Sequence, residues 1–300
     1  MIAIDWGSSA FRAFLLDVQG QVLDRKTTTD GVLAINGASY HQVIIDHCGE
    51  WLEATPALSI IMAGVIGSRN GWKETPYIAS PASIETLARS CVEVELGDSR
   101  DIQIVPGVTG PNFFAGADVM RGEEVQVFGA LRALGLSDGL VCLPGTHSKW
   151  CVVKGGEITF LTTFMTGEMF ALIRRQSSIG LVIDAAEFER DSFSAGLAAA
   201  SGSVGLLHQL FSVRADILLG NLKVASAESY LSGMLIGYEI ESVRSVLDDD
   251  LSVVLVGNEG LTLRYAAALN ECGGPVVQVS GDEAFIRGIL MIREALAQPV

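Results

Sequence analysis

The chain has 300 residues, 49% of them apolar and 18% charged, enough for about two globular domains with sizeable cores at the usual ~100–200 residues each. With 35 acidic against 20 basic residues the net charge is −15, the wrong sign for gripping a nucleic-acid backbone, and no run of Lys and Arg offers a local exception. The longest apolar stretch, Ala57 to Gly67, is about half of the ~20 residues a membrane-spanning helix needs, so no span is expected.

From the N-terminus, Ile2 to Asp5, Phe11 to Asp17 and Gln21 to Thr27 read as three short strands with turns at Gly7 to Ser9 and Gln19-Gly20, an antiparallel meander. Asp5 stands where a secretory signal would carry its apolar stretch, so the expected location is the cytoplasm. Ser39 opens a helical stretch through Trp51, Leu58 to Met62 and Ile102 to Val105 are apolar strands, and Glu123 to Leu134 has helical spacing. A second meander follows about 138 residues after the first: Leu140 to Leu143, Lys149 to Val153 and Ile158 to Phe164. Helices are expected at Glu168 to Gln176, Phe188 to Ala200 and Ala227 to Val246, then strand Val253 to Val256, helix Leu261 to Leu269, strand Val276 to Val279 and helix Glu283 to Ala297. A repeated unit of this kind predicts two α/β domains with a cleft between them, 1–128 and 129–300. Cys48, Cys91, Cys142, Cys151 and Cys272 form no CxxC pair, which suits reduced thiols, and the histidines show no metal-ligand spacing.

The chain has no GxxxxGK[ST], no GxGxxG after a strand and no GxSxG. Its chemistry is carried instead by turns. Asp5-Trp6-Gly7-Ser8-Ser9 ends the first strand, where a tight turn exposes backbone N–H groups and two hydroxyls to an anion. Asp5 is placed to hold the water shell of Mg²⁺, and Arg12 offers a forked charge to a phosphoryl group. A plain hairpin with a solvated Arg12 is the competing reading. Gly145 and Thr146 occupy the equivalent turn of the second meander, and Gly257 and Asn258 end a later apolar strand before a helix, where a nucleoside can lie against backbone. Asp248 to Asp250 reads as a solvated turn and Asp282 as a helix cap.

This order of turns resembles the actin-like ATPase superfamily, built from two duplicated ribonuclease H-like domains. Within it Met62 to Ser68 with Gly71-Trp72, Met120 to Glu124, Pro144 to His147 with Lys149-Trp150, and Met165 to Glu168 resemble the 2-dehydro-3-deoxygalactonokinase family. The resemblance implies ATP- and Mg²⁺-dependent phosphorylation of 2-dehydro-3-deoxy-D-galactonate at its 6-hydroxyl, in D-galactonate catabolism. It carries Asp5, Gly7, Ser8, Ser9 and Arg12 to the first phosphate region, Gly145 and Thr146 to the second, and Gly257 and Asn258 to the adenosine loop. A general base is expected at Glu124 or Glu123, with Asp118 in reserve and helix capping as the alternative for the acidic pair. For the sugar acid, Gly67, Ser68, Arg69, Asn70 and Trp72 are the expected contacts, with Lys149 on the phosphoryl side or at the outer hydroxyls. A kinase for another sugar or sugar acid, or a non-kinase regulator on the same fold, are the rival functions. No nucleic-acid or membrane partner is expected, and homo-oligomerisation is left open.

Overall fold

The first strand opens on the continuous apolar run Ile2-Ala3-Ile4, as burial on both faces requires, and the computed structural model puts that strand inside a sheet. The structure describes residues 1–35, 39–55, 57–96, 101–184, 187–202, 204–247, 252–271 and 273–298. Asp248 to Asp250 and Cys272 therefore lie outside the described residues. In chain order the elements are β1 (Ile2–Trp6), β2 (Phe11–Leu16), β3 (Val22–Thr28), α1 (Tyr40–Ala54), β4 (Ile60–Ala63), β5 (Tyr77–Ala79), α2 (Ile84–Arg89), β6 (Val92–Glu95), β7 (Asp101–Ile104), β8 (Gly107–Pro111), β9 (Ala117–Met120) and α3 (Glu123–Leu134). They continue with β10 (Gly139–Leu143), β11 (Ser148–Lys154), β12 (Glu157–Phe164), α4 (Thr166–Gln176), α5 (Arg190–Ala200), α6 (Leu206–Leu219), α7 (Ala227–Arg244), β13 (Val253–Gly257), α8 (Glu259–Glu271), β14 (Val276–Ser280) and α9 (Gly281–Leu296).

The first sheet has the order β3-β2-β1-β4-β7-β6. β1 to β3 form the expected antiparallel meander, while β1, β4 and β7 run parallel. The second sheet has the order β12-β11-β10-β13-β14, the same succession of meander, fourth and fifth strand, so the duplication read from the sequence is present. A small sheet, β5-β8-β9, was not expected.

Grouped by contacts, the chain forms two units: residues 1–141, 151–162 and 279–300, and residues 142–150 and 163–278. The expected boundary at 128/129 falls within α3. α3 packs on α9, because Gly129 and Gly288 let the backbones touch: a Cβ on Gly129 would lie 1.8 Å from the Ala284 carbonyl and one on Gly288 2.0 Å from that of Val125. The first unit's core joins Ile2, Ile4, Trp6 and Phe11 to Ile44, Cys48 and Leu52 of α1 and to Ile60, Met62, Ile102 and Ile104. Ser39 caps α1 through the Gln42 N–H at 3.0 Å. A separate core in the second unit gathers Ile173, Leu210, Val213, Leu231, Met234 and Leu235. No helix among the described residues is long and apolar enough to cross a membrane, and Cys48, Cys91, Cys142 and Cys151 are free thiols.

Candidate active site

Three parallel strands share a C-terminal edge, and in open α/β sheets that edge is where ligands bind. Asp5 is the penultimate residue of β1 and lies in register with Arg12 on β2. The following turn is closed by the Gly7 N–H on the Ala10 carbonyl at 2.9 Å and backed by the Val32 and Leu33 N–H groups on the Gly7 and Ser8 carbonyls, each at 3.0 Å. Ser8 and Ser9 are exposed. Beside this turn Gly64 and Gly122 adopt φ of +109° and +107°. A Cβ on Gly64 would lie 2.6 Å from the Trp6 carbonyl, and one on Gly122 2.9 Å from the Gly64 Cα, so three backbones stack where a side chain would wedge them apart.

That stacking brings the start of α3 to the same edge. Glu124 is 0% exposed, and both of its carboxylate oxygens face the Gly122 N–H at 2.8 Å. Burial, reinforced by the charge of Glu123, raises the Glu124 carboxyl from 4.5 to about 8, against the pull of the backbone N–H groups and Arg121. Glu123 is partly exposed and accepts the Arg121 backbone N–H at 3.0 Å. Asp118 sits within β9 opposite Gly110, with its carboxylate on the Val119 N–H at 2.8 Å.

Arg12 does not present its fork outward as expected. One terminal nitrogen donates to Asp5 and the other to Asp282 at 2.7 Å. Asp282 is no cap: Ser280 caps α9 through the Glu283 N–H at 3.1 Å, which leaves Asp282 in the first turn for Arg12 and, at 3.7 Å, Arg25. Burial raises the Asp5 carboxyl while Arg12 pulls it down. Nothing local in the sequence joins residues 12 and 282.

The segment after β4 is a tight loop. Residues 65–67 form a 3₁₀ turn, the Trp72 N–H returns to the Ile66 carbonyl and the Thr75 N–H to the Gly67 carbonyl, both at 2.9 Å. Trp72 stacks on Tyr40 with ring centres 6.2 Å apart, and the Tyr40 hydroxyl donates to the Asn70 carbonyl at 3.0 Å. Gly67 is buried, Ser68 partly so, and Arg69, Asn70 and Lys73 are exposed, with no ion pair at Arg69 or Lys73 among the described residues.

In the second unit, Gly145 and Thr146 form the turn between β10 and β11. The Thr146 carbonyl accepts the Glu168 N–H at 2.9 Å, His147 bonds the Glu168 carboxylate, and a Cβ on Gly167 would lie 2.3 Å from the Gly145 carbonyl, so turn and α4 are tightly joined. A small pocket opens here, lined by Gly145, Thr166, Gly167 and Phe170, by Ser232, Leu235 and Ile236 of α7, and by Leu261, Arg264 and Tyr265 of α8. Gly257 and Asn258 do not line it. Asn258 instead accepts the Leu261 N–H at 3.0 Å and holds the start of α8, whose side chains form the wall. Lys149 is buried and its ammonium donates to Thr163 at 2.7 Å. Behind the pocket Glu239, 2% exposed, accepts from Ser148 at 2.6 Å, from Trp150 and Tyr265 at 2.7 Å each, and from Thr166. Sequence reading missed this hub, since its donors are scattered over three elements. Among the described residues no group of three His, Cys, Asp or Glu side chains could cage a metal ion.

The family described as 2-keto-3-deoxy-galactonokinase matches residues 5–292 of the chain. A 2-dehydro-3-deoxygalactonokinase of Escherichia coli (strain K12) is 39% identical over 298 residues, 99% of this chain and 98% of that protein. A crystal structure from Sinorhizobium meliloti, solved as a candidate 2-dehydro-3-deoxygalactonokinase, superposes with a TM-score of 0.90 at 34% identity, covering 99% of each chain. The activator of the 2-hydroxyisocaproyl-CoA dehydratase from Clostridium difficile, solved with bound ADPNP, shares the fold at a TM-score of 0.54 and 12% identity, over 98% of this chain and 95% of that one. The architecture is that of the actin-like ATPases and sugar kinases.

Proposed function

We propose a residue-level mechanism from the premise that this chain belongs to the 2-keto-3-deoxy-galactonokinase family. It is a phosphotransferase that uses ATP to phosphorylate 2-dehydro-3-deoxygalactonate, a step of galactonate catabolism. The acceptor in our reading is the 6-hydroxyl: its oxygen attacks the γ-phosphorus of ATP, its proton passes to Glu124, and ADP departs. The observation that carries this is the Glu124 carboxyl, fully buried, bonded to the Gly122 backbone N–H and raised to about 8, the range a general base needs near neutral pH.

Other residues bind and orient. In the first unit Ser8, Ser9 and the Gly7 turn offer hydroxyls and backbone to phosphate oxygens; in the second, Gly145 and Thr146 form a turn of the same kind. The α7–α8 pocket, apolar at Leu235, Ile236 and Leu261, suits the adenosine. Mg²⁺ fits Asp5 as an ion that keeps most of its waters, and when bound it neutralises charge on the phosphates. Arg12 becomes a positioning residue that fixes Asp5, its fork being occupied by two carboxylates. Gly67 to Asn70 and Trp72 receive the sugar acid, and Lys149, whose ammonium donates to Thr163, serves the phosphoryl side or the outer hydroxyls.

A coupled ADP-release assay over 2-keto-3-deoxy acids, their parent aldonates and neutral hexoses tests the substrate class. Turnover confined to the keto-deoxy acids is expected; comparable kcat/KM for glucose would leave only a generic sugar kinase. Asp5→Asn should lower kcat and raise the Mg²⁺ concentration needed for half-maximal rate, and an unchanged Mg²⁺ dependence would remove Asp5 from the metal site.

A further inference from the structure

An anionic substrate poses a problem for a chain of charge −15, because recognition must come from a local cation. Arg69 and Lys73 are solvated, so an ion pair there is worth little. Arg121, at the junction of β9 and α3, is different. It is only partly exposed, its Nε is buried without a hydrogen-bond partner, and its guanidinium stacks 4.2 Å from the centre of the Tyr77 ring. One terminal nitrogen donates to the Thr75 hydroxyl and the other to the Thr75 carbonyl at 3.1 Å, both neutral groups. No carboxylate pairs with the guanidinium among the described residues, whereas Arg12 holds two and Arg174 and Arg287 one each. Glu123 takes the backbone N–H of Arg121.

A half-buried guanidinium that no carboxylate grips is costly unless a ligand supplies the partner. Stacking on Tyr77 and the two bonds to Thr75 fix the guanidinium in place, and each terminal nitrogen keeps one further N–H for a carboxylate oxygen. Thr75 in turn donates to the Gly67 carbonyl at 3.1 Å, and a Cβ on Gly67 would approach the Arg121 guanidinium to 3.2 Å, so the cation borders the loop expected to receive the sugar acid. We infer that Arg121 is the specificity-determining residue that binds the substrate's carboxylate, at Gly67 and three residues before Glu124. This rests on the proposed kinase reading. A six-carbon acid carries its carboxylate and its 6-hydroxyl at opposite ends, so anchor and base must be separate groups along one edge, as these two are.

The test compares 2-dehydro-3-deoxygalactonate with its uncharged C1 amide in the wild type, Arg121→Gln and Arg121→Lys. Gln keeps a donor for Thr75 and removes the charge; Lys keeps the charge and loses the fork. Steady-state kinetics should show the preference for acid over amide falling about 10–100-fold in Arg121→Gln, as expected for a lost charge-assisted bond, with the KM for ATP unchanged. Arg121→Lys should retain an intermediate preference. Calorimetric titration of the acid and the amide measures the same ratio without turnover. A strut acting only through Thr75 would weaken both acceptors equally, and an acid-to-amide ratio unaltered by Arg121→Gln overturns the assignment. Binding of the acid with no phosphoryl transfer would instead overturn the kinase reading alone, and no binding of the acid by the wild type would overturn both.

Discussion

Two buried glutamates, one in each unit, show what separates a reagent from a strut. Glu239 is surrounded by four side-chain donors from β11, α4 and α8, which fill the roughly four acceptor sites of a carboxylate. Glu124 is as deeply buried, yet its two oxygens face the backbone N–H of Gly122 and meet no side-chain donor among the described residues. Burial raises both carboxyls. At Glu239 the four donors oppose that rise and leave no lone pair for a newcomer, whereas Glu124 keeps acceptor capacity and a proton affinity suited to exchange. Low exposure alone therefore does not mark a catalytic acid; unfilled hydrogen-bonding capacity beside a ligand-binding edge does.

The contrast breaks most directly at Glu124. Glu124→Gln should lower kcat by about 10²–10⁴-fold with the KM for ATP little changed; a near-parental kcat would return Glu124 to the role of a helix-start acid. In the wild type kcat should rise as pH passes through about 8, because only the ionised carboxylate accepts the proton, and that rise should vanish in the variant. Stability moves the other way. Between 4.5 and about 8 the folded protein holds a proton that the unfolded chain has released, so the Glu124 contribution to stability is full below that window and is lost across it as pH rises, measurable as a falling Tm that Glu124→Gln flattens.

Glu239→Gln sharpens the other half of the comparison. An amide turns a donor toward donors, costing about 1–3 kcal/mol for each group left without an acceptor, so a lower Tm and a higher KM for ATP are expected, with kcat reduced far less than in Glu124→Gln. The smallest effect belongs to Asn258→Ala: loss of the N-terminal cap of α8 should cost about 1 kcal/mol in thermal unfolding and shift ATP affinity only slightly, since the pocket wall is built by later residues of α8.

Local signals carried most of the fold into view. The helix at Glu123 to Leu134 is found with both ends as expected, since an acidic first turn and the Gly135 C-cap bracket a clear apolar period. α6 was overlooked because its apolar residues do not keep to one face: Leu210, Val213 and Ile217 are buried while Leu207, Phe211, Leu218 and Leu219 are exposed. β5, β8 and β9 are three to five residues long and include Gly107, Gly110 and Pro111, which read as turn material. In the site, contiguous motifs were legible and pairings across the chain were not. Arg12 meets Asp282 across 270 positions, and Glu239 meets Ser148 across 91. Arg121 lay inside a quoted motif, but its lack of a carboxylate partner is visible only in three dimensions.

The return of α9 to the first unit also sets an order of events during synthesis. Residues 279–300 belong with residues 1–141 but are made after the whole second unit, which at ~5–20 residues per second means a wait of roughly 10–30 s on the ribosome. Through that interval the α9-facing side of α3 is uncovered and Arg12 lacks the Asp282 carboxylate. The nascent N-terminal half is thus a natural client for chaperones that shield apolar surface, and changes that remove or scramble residues 279–298 should damage the first unit, where Asp5 and Glu124 reside, before they damage the second.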